Sequence, residues 1–326
     1  MERSNGKSSL PLQLTTIGIE FAMNDICNLT IAFRGEFAAL LAAFFWASAT
    51  VLFGRIGQTI RPLEMNLIKN VIAAGMILIT LLAKDNVFAP VEMKALVLLF
   101  FSGAVGIGFG DTVYFRSLKC IGARRALLLW MLSPPLAGVF AHLFMREALN
   151  FGAWMGIFIT IIGVAWVISE RAQESGEKEL HLLQGVVFGL VSAVAQATGA
   201  VLSRAAFVYT AISPLQSSLW RLLGGILIIL VYMPMVRPEI GQWVGEKRAA
   251  RLWLMIIVAV FAGTYLGIWL QQVSLKYAAA GIAQTLFATS PLFVIPIVLC
   301  MGEKISFRAV LGVVIALGGI GLLFGM

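Results

Sequence analysis

Apolar runs of about twenty residues recur along this chain after residue 34, and short charged or proline-bearing breaks separate them. A bilayer core about 30 Å thick takes roughly 20 apolar residues per helical span. On that measure the pattern predicts ten spans, at residues 37–54, 63–83, 95–115, 125–144, 151–169, 182–207, 215–235, 252–273, 280–301 and 307–324. The most polar stretch of the body, residues 171–181, reads as an exposed linker between two halves. The expected fold is therefore all-α and integral to a membrane, with an N-terminal extension over residues 1–34, one five-helix unit over 35–170 and a second over 182–326.

The two units repeat one another, and internal repeats decide a fold before any local reading does. Ser117-Leu-Lys119 returns as Ser274-Leu-Lys276, and Ser133-Pro134 as Ser290-Pro291. Gly106 and Gly110 match Gly263 and Gly267, and Met145 with Glu147 matches Met301 with Glu303. Further upstream, Pro62 with Lys69 aligns with Pro214 and Arg221. Five spans per copy is an odd number, so the second copy enters the membrane from the opposite side. The result is an inverted repeat, a plan on which many secondary transporters build a midplane site.

This ordered set, with its late Ser-Pro helix, the Glu147 and Glu303 connections and a glycine-spaced last helix, resembles the EamA-like branch of the drug/metabolite transporter superfamily. The resemblance implies a ten-helix carrier that exports or exchanges small metabolites such as amino acids by alternating access. It implies a central cavity lined by the first, third and fourth helices of each half. It also places the chain in the plasma (inner) membrane with both termini in the cytoplasm. Charge runs against that orientation, with roughly nine Lys and Arg on the inner side and fifteen outside, contrary to the positive-inside tendency.

Composition supports the membrane reading. Only 12% of residues are charged, whereas a soluble domain carries about 25%, too few here to cover a water-facing surface. The formal charge of +8 comes from Lys and Arg at span ends, not from basic tracts, so nucleic acid is not an expected partner. The expected partners are a small-molecule substrate and membrane lipid, with a monomer as the simplest unit. Cys27, Cys120 and Cys300 make no CxxC, and His142 and His181 have no ligand spacing, so neither metal nor other cofactor is expected. The first 34 residues lack a compact apolar region of signal-peptide type. They read either as a surface amphipathic segment or as an extension upstream of Met23.

Asp111, in Gly106-Ile-Gly-Phe-Gly-Asp111 near the end of the third span, is the first candidate for chemistry. An acid inside a span faces a cavity or a partner, because lipid does not solvate it. It is a candidate for substrate binding and for proton coupling. The alternative is an interfacial acid paired with Arg116, Lys119, Arg124 or Arg125. Ile268 stands at its place in the second copy, so the acid is not part of the shared scaffold.

Trp46, Trp130, Gln196, Tyr265, Trp269 and Gln284 join it as expected substrate-binding residues. They are polar or amphipathic groups in helices expected to line the cavity. Pro134, Pro291 and Pro296 break the Ser-Pro helices and are expected hinges. Glycines at 152, 156, 163, 312 and 319 form small-residue stripes suited to close helix packing. No GxxxxGK[ST] phosphate loop, HExxH or GxSxG context occurs. Gradient-driven transport is the expected activity; an intramembrane enzyme using Asp111 as base, or a non-transporting assembly subunit, are the alternatives.

Overall fold

The computed structural model describes residues 33–84, 90–145, 151–168, 176–236, 249–277, 286–300 and 307–324, and these contain no strand. In chain order the helices are α1 (Arg34–Ile56), α2 (Pro62–Ala83), α3 (Met93–Ser102), α4 (Asp111–Trp130), α5 (Ser133–Met145), α6 (Phe151–Ile168) and α7 (Gly176–Tyr209). They continue with α8 (Pro214–Val236), α9 (Ala249–Ala259), α10 (Gly267–Tyr277), α11 (Ser290–Cys300) and α12 (Phe307–Phe324). Seven helical stretches are long and apolar enough to cross a membrane, and two shorter apolar ones lie at Trp154–Gly163 and Val310–Leu322. The expected count of ten spans is thus not reached on length and hydropathy among the described residues.

Two boundaries differ from the sequence reading. The third span does not stop at residue 115 but runs from Met93 to Ala123, so Asp111 sits well inside it. The chain turns only at Gly122, whose φ of 77° is open to glycine and strained for other residues. The sixth helix starts at Gly176, inside the stretch expected as a linker.

A π-helical segment spans Gly103–Gly110, between α3 and α4, and a second spans Val260–Leu266, between α9 and α10. They begin 157 residues apart, the same offset that relates Asp111 to Ile268 and Trp130 to Phe287. The repeat read in the sequence therefore extends to a rare local geometry. π segments are uncommon and concentrate at functional sites, because the widened turn leaves carbonyls for other groups to bond.

The second helices of the two copies, α2 and α8, pack against each other, and each also packs on the π segment of the other copy. Glycines make that approach possible. A Cβ on Gly103 would strike the backbone of Arg221, and one on Gly224 would strike the backbone of Phe100. The fifth helices of the two copies, α6 and α12, form a seam of their own. A Cβ on Gly163 would meet Ala316, and one on Gly319 would meet Thr160. Of the stripes expected from sequence, Gly163 and Gly319 thus pack against the chain's own helices.

Polarity is distributed as lipid requires. Phe101, Phe109, Leu227, Val231 and Leu254 face outward, while Lys69, Asp111 and Arg221 are buried. Helices bring their apolar faces to the bilayer and must satisfy their polar side chains internally.

Candidate functional site

The site grows out of the first π segment. Asn66 on α2 directs its amide at this segment, with Nδ2 2.9 Å from both Ile107 O and Gly108 O and 2.8 Å from Thr112 Oγ1. Gln196 on α7 donates to Gly106 O at 3.0 Å and to Asp111 Oδ1 at 2.6 Å. One side chain of the second copy thereby holds both the widened turn and the acid that follows it.

The second oxygen of Asp111 accepts from Lys69 Nζ at 2.7 Å, and the same ammonium donates to Asn70 Oδ1 at 2.8 Å. Asn70 in turn donates to Asn66 Oδ1 at 3.1 Å. Lys69 is 1% exposed and Asp111 3%, so the pair is fully withdrawn from solvent. Neither charge is tolerable alone in such a place, and each is retained because the other and its amide neighbours satisfy it. Asp111 pairs with Lys69 on α2, where the interfacial alternative has it paired with a basic residue following it on its own chain segment. The acid is directed at α2.

Arg221, buried on α8, shares the wall of one cavity with Asp111. Asp111 and Arg221 line a cavity of about 30 Å³ together with Trp46, Trp130, Gln196, Gln271, Ile268 and Phe287. That volume admits water or a single polar group of a solute. Trp46, Trp130 and Phe287 form an aromatic wall, backed by Tyr114. Tyr114 lies 5.8 Å from Trp46, Trp46 lies 6.2 Å from Trp130, and Trp130 meets Phe287 edge-on at 5.2 Å. The cavity is bounded by helices of both copies. A second void of about 370 Å³ is larger, but it is an apolar groove bordered by the outward-facing Phe109, Val231, Tyr232 and Met235. Its walls suit lipid contact.

Of the residues expected from sequence, Trp46, Asp111, Trp130 and Gln196 converge on the central cavity. Tyr265 and Trp269 lie outside its lining. Tyr265 shares a 2.8 Å hydrogen bond with Thr80, and Trp269 lies under the Lys84 ammonium at 5.3 Å. Gln284 lies outside the described residues, as do Glu147 and Glu303.

Sequence reasoning missed Lys69, Arg221 and Asn66 as members of the site. A signal existed, since a cation follows Pro62 and Pro214 by seven residues in both copies.

The hinge candidates are placed more sharply. Pro134 and Pro291 occupy the first turn of α5 and α11, where a missing N–H costs nothing. The break itself falls just before them, at Met131–Leu132 and at the matched Ala288–Thr289. Pro296 lies within α11.

No group of three or more His, Cys, Asp or Glu that would hold a metal occurs among the described residues.

The EamA-like transporter family model matches this chain twice, over residues 33–169 and 183–325. A Sinorhizobium protein, "Uncharacterized transporter in cobO 3'region", is 31% identical over 130 residues, which is 39% of this chain and 92% of that one. The Bacillus subtilis (strain 168) "Uncharacterized transporter YyaM" is 24% identical over 250 residues, covering 76% of this chain and 80% of its own. A solved structure described as "Crystal structure of protein" superposes with a TM-score of 0.63 at 17% identity, over 90% of this chain and 96% of that one, and so shares the fold. Two family matches that together cover most of the chain, on an apolar helical body with a duplicated π segment, establish that the chain belongs to the EamA-like transporter family, as a multi-pass membrane transporter.

Proposed function

We propose that this protein is a secondary-active carrier of small organic metabolites, exporting or exchanging them by alternating access around the cavity at Asp111, Trp130, Gln196 and Arg221. The observation that carries the reading is a buried charged cluster at the meeting of the two repeats, built from helices of both. A rocking motion of one repeat against the other exposes such a cluster first to one side and then to the other. The paired breaks before Pro134 and Pro291, with Pro296, are the hinges of that motion. Asp111 and Lys69 form an ion pair at its centre, and Asp111 is the candidate for carrying a coupling proton.

The test is counterflow in vesicles reconstituted with the full chain and preloaded with a panel of amino acids and organic acids, with and without a pH gradient. Accumulation of labelled solute that depends on unlabelled solute inside is the expected result. Absence of counterflow for the whole panel under either gradient refutes the reading. The carrier is further proposed to lie in the plasma membrane with both termini in the cytoplasm. A C-terminal reporter active only in the cytoplasm is expected to be active, and an inactive reporter on an expressed fusion overturns that orientation.

A further inference from the structure

Among the described residues at the central cavity and its ion pair, the two repeats bring one cation each and a single acid, Asp111. Lys69 follows Pro62 by seven residues and Arg221 follows Pro214 by seven, on corresponding helices. In the first copy Asp111 answers Lys69 at 2.7 Å. In the second, Ile268 takes the place of the acid on the wall of the same cavity. Arg221 is 4% exposed and makes no ion pair with a carboxylate among the described residues. Asp111 is shared with Lys69, and a guanidinium buried at membrane depth with no carboxylate paired to it is unfavourable; intramembrane charges of this kind mark substrate pathways.

The inventory of hydrogen bonds agrees. Arg221 Nε, Trp46 Nε1 and Trp130 Nε1 are all buried with no partner among the described residues, and all three side chains line this cavity. Every one of these atoms is a donor, since neither indole nor guanidinium accepts. Buried polar groups are rarely left unpaired, and those that are call for an explanation. The carboxylate of the wall is already engaged, because Asp111 gives its two oxygens to Lys69 and Gln196.

Lys69, Asp111 and Arg221 together carry one net positive charge. An acceptor-only group with a single negative charge complements that wall, and a carboxylate is such a group. A phosphate dianion calls for a second free cation, and an amine would face donors. The cavity as it stands admits only that anionic group, and Trp46, Trp130, Phe287 and Ile268 give the wall beside it an apolar surface for the rest of a solute when the repeats move apart.

We propose that Arg221 anchors the carboxylate of the solute, with the indole N–H groups of Trp46 and Trp130 completing the set of donors, so that the substrates are small monocarboxylates with an apolar body. The proposal rests on the carrier reading above. In it the Lys69–Asp111 pair positions the site, and Arg221 grips the ligand.

Isothermal titration of the purified full chain in detergent with benzoate, phenylacetate and propionate tests this against the neutral isostere benzamide and the cation benzylamine. At least one of the carboxylates is expected to bind, and benzoate at least about tenfold more tightly than benzamide or benzylamine, the margin of a charge-assisted hydrogen bond. Arg221→Gln is expected to lose about tenfold or more in carboxylate affinity while Arg221→Lys retains part of it. Trp130→Phe, which removes one N–H and keeps a ring, is expected to weaken carboxylates selectively. If Arg221→Gln fails to fold, the carboxylate-to-amide ratio and Trp130→Phe still decide. Equal binding of benzoate and benzamide, failure of all three carboxylates to bind, or parental carboxylate affinity in a folded Arg221→Gln overturns the proposal. Arg221-dependent binding without counterflow refutes the carrier reading alone, and counterflow indifferent to a carboxylate refutes the anchor alone.

Discussion

Replacing Asp111 with Asn removes one charge from the centre of the bundle and almost no volume. The amide oxygen still accepts from Gln196, which donates at 2.6 Å in the parent, so that contact survives. What is lost is the counter-charge of Lys69. At 2.7 Å, and with an effective dielectric constant near 20, the pair attracts by about 6 kcal/mol. Much of this offsets the desolvation of two groups that are 1% and 3% exposed, and breaking such a pair from one side costs about 3–5 kcal/mol.

We predict that Asp111→Asn markedly lowers the unfolding temperature of the detergent-purified protein, read as an apparent value because large membrane proteins unfold irreversibly. The double variant Lys69→Met, Asp111→Leu removes both charges, and buried ion pairs replaced by apolar groups of similar size are often neutral or better. It is expected to recover most of the loss. Neither variant is expected to catalyse counterflow. A parental unfolding temperature for Asp111→Asn, or a double variant as unstable as the single one, refutes the charge-pairing argument. Full transport by the double variant refutes the functional role of the pair.

Neighbouring glycines at the α6–α12 seam give a paired test. Gly319→Ala drives a methyl into Thr160 and the Gly156 carbonyl and is expected to cost about 1–3 kcal/mol, whereas Gly318→Ala meets open space and is expected to leave the unfolding temperature unchanged or slightly raised. Equal effects of the two in thermal unfolding would contradict the seam. Gln272 accepts from Ser203 at 3.2 Å and Ser217 at 3.0 Å, tying α7 and α8 to α10. Gln272→Leu is expected to cost about 1 kcal/mol, since interhelical hydrogen bonds in a bilayer average about 0.6 kcal/mol each; an unchanged midpoint on unfolding in denaturing detergent would show the network to be dispensable.

What the sequence revealed and what it hid divide along physical lines. Hydropathy marks helices by their lipid-facing surface, so the spans around 34–56, 62–83 and 214–235 were legible to within a few residues. The end of the third span was not, because Arg116 and Lys119 look like an interface to a hydropathy window. The helix carries both onward to Gly122, where the backbone turns. The acid at 111 stood out because charge is rare in such a span. Its partner did not, because Lys69 lies 42 residues away on another helix, and a lone cation near a span end reads as a topology signal. Arg221 was hidden for the same reason. Aromatics and amides such as Tyr265, Trp269 and Gln196 look alike in sequence, and only packing separates the one at the cavity from the two that serve Thr80 and Lys84. The π segments left a trace in the glycine-rich run at 103–110, but the geometry itself follows from what Asn66 and Gln196 bond.

The central claim is that one cavity between the repeats opens alternately to the two sides of the membrane. Ile268 is the residue to probe, because it lines that cavity at the position matched to Asp111 and is 8% exposed. Ile268→Cys, in a chain freed of Cys27, Cys120 and Cys300, is to be labelled in oriented vesicles with a membrane-impermeant thiol reagent applied to one side at a time. The account predicts labelling from each side. Labelling from one side only, or from neither, in a variant that is folded and inserted contradicts it.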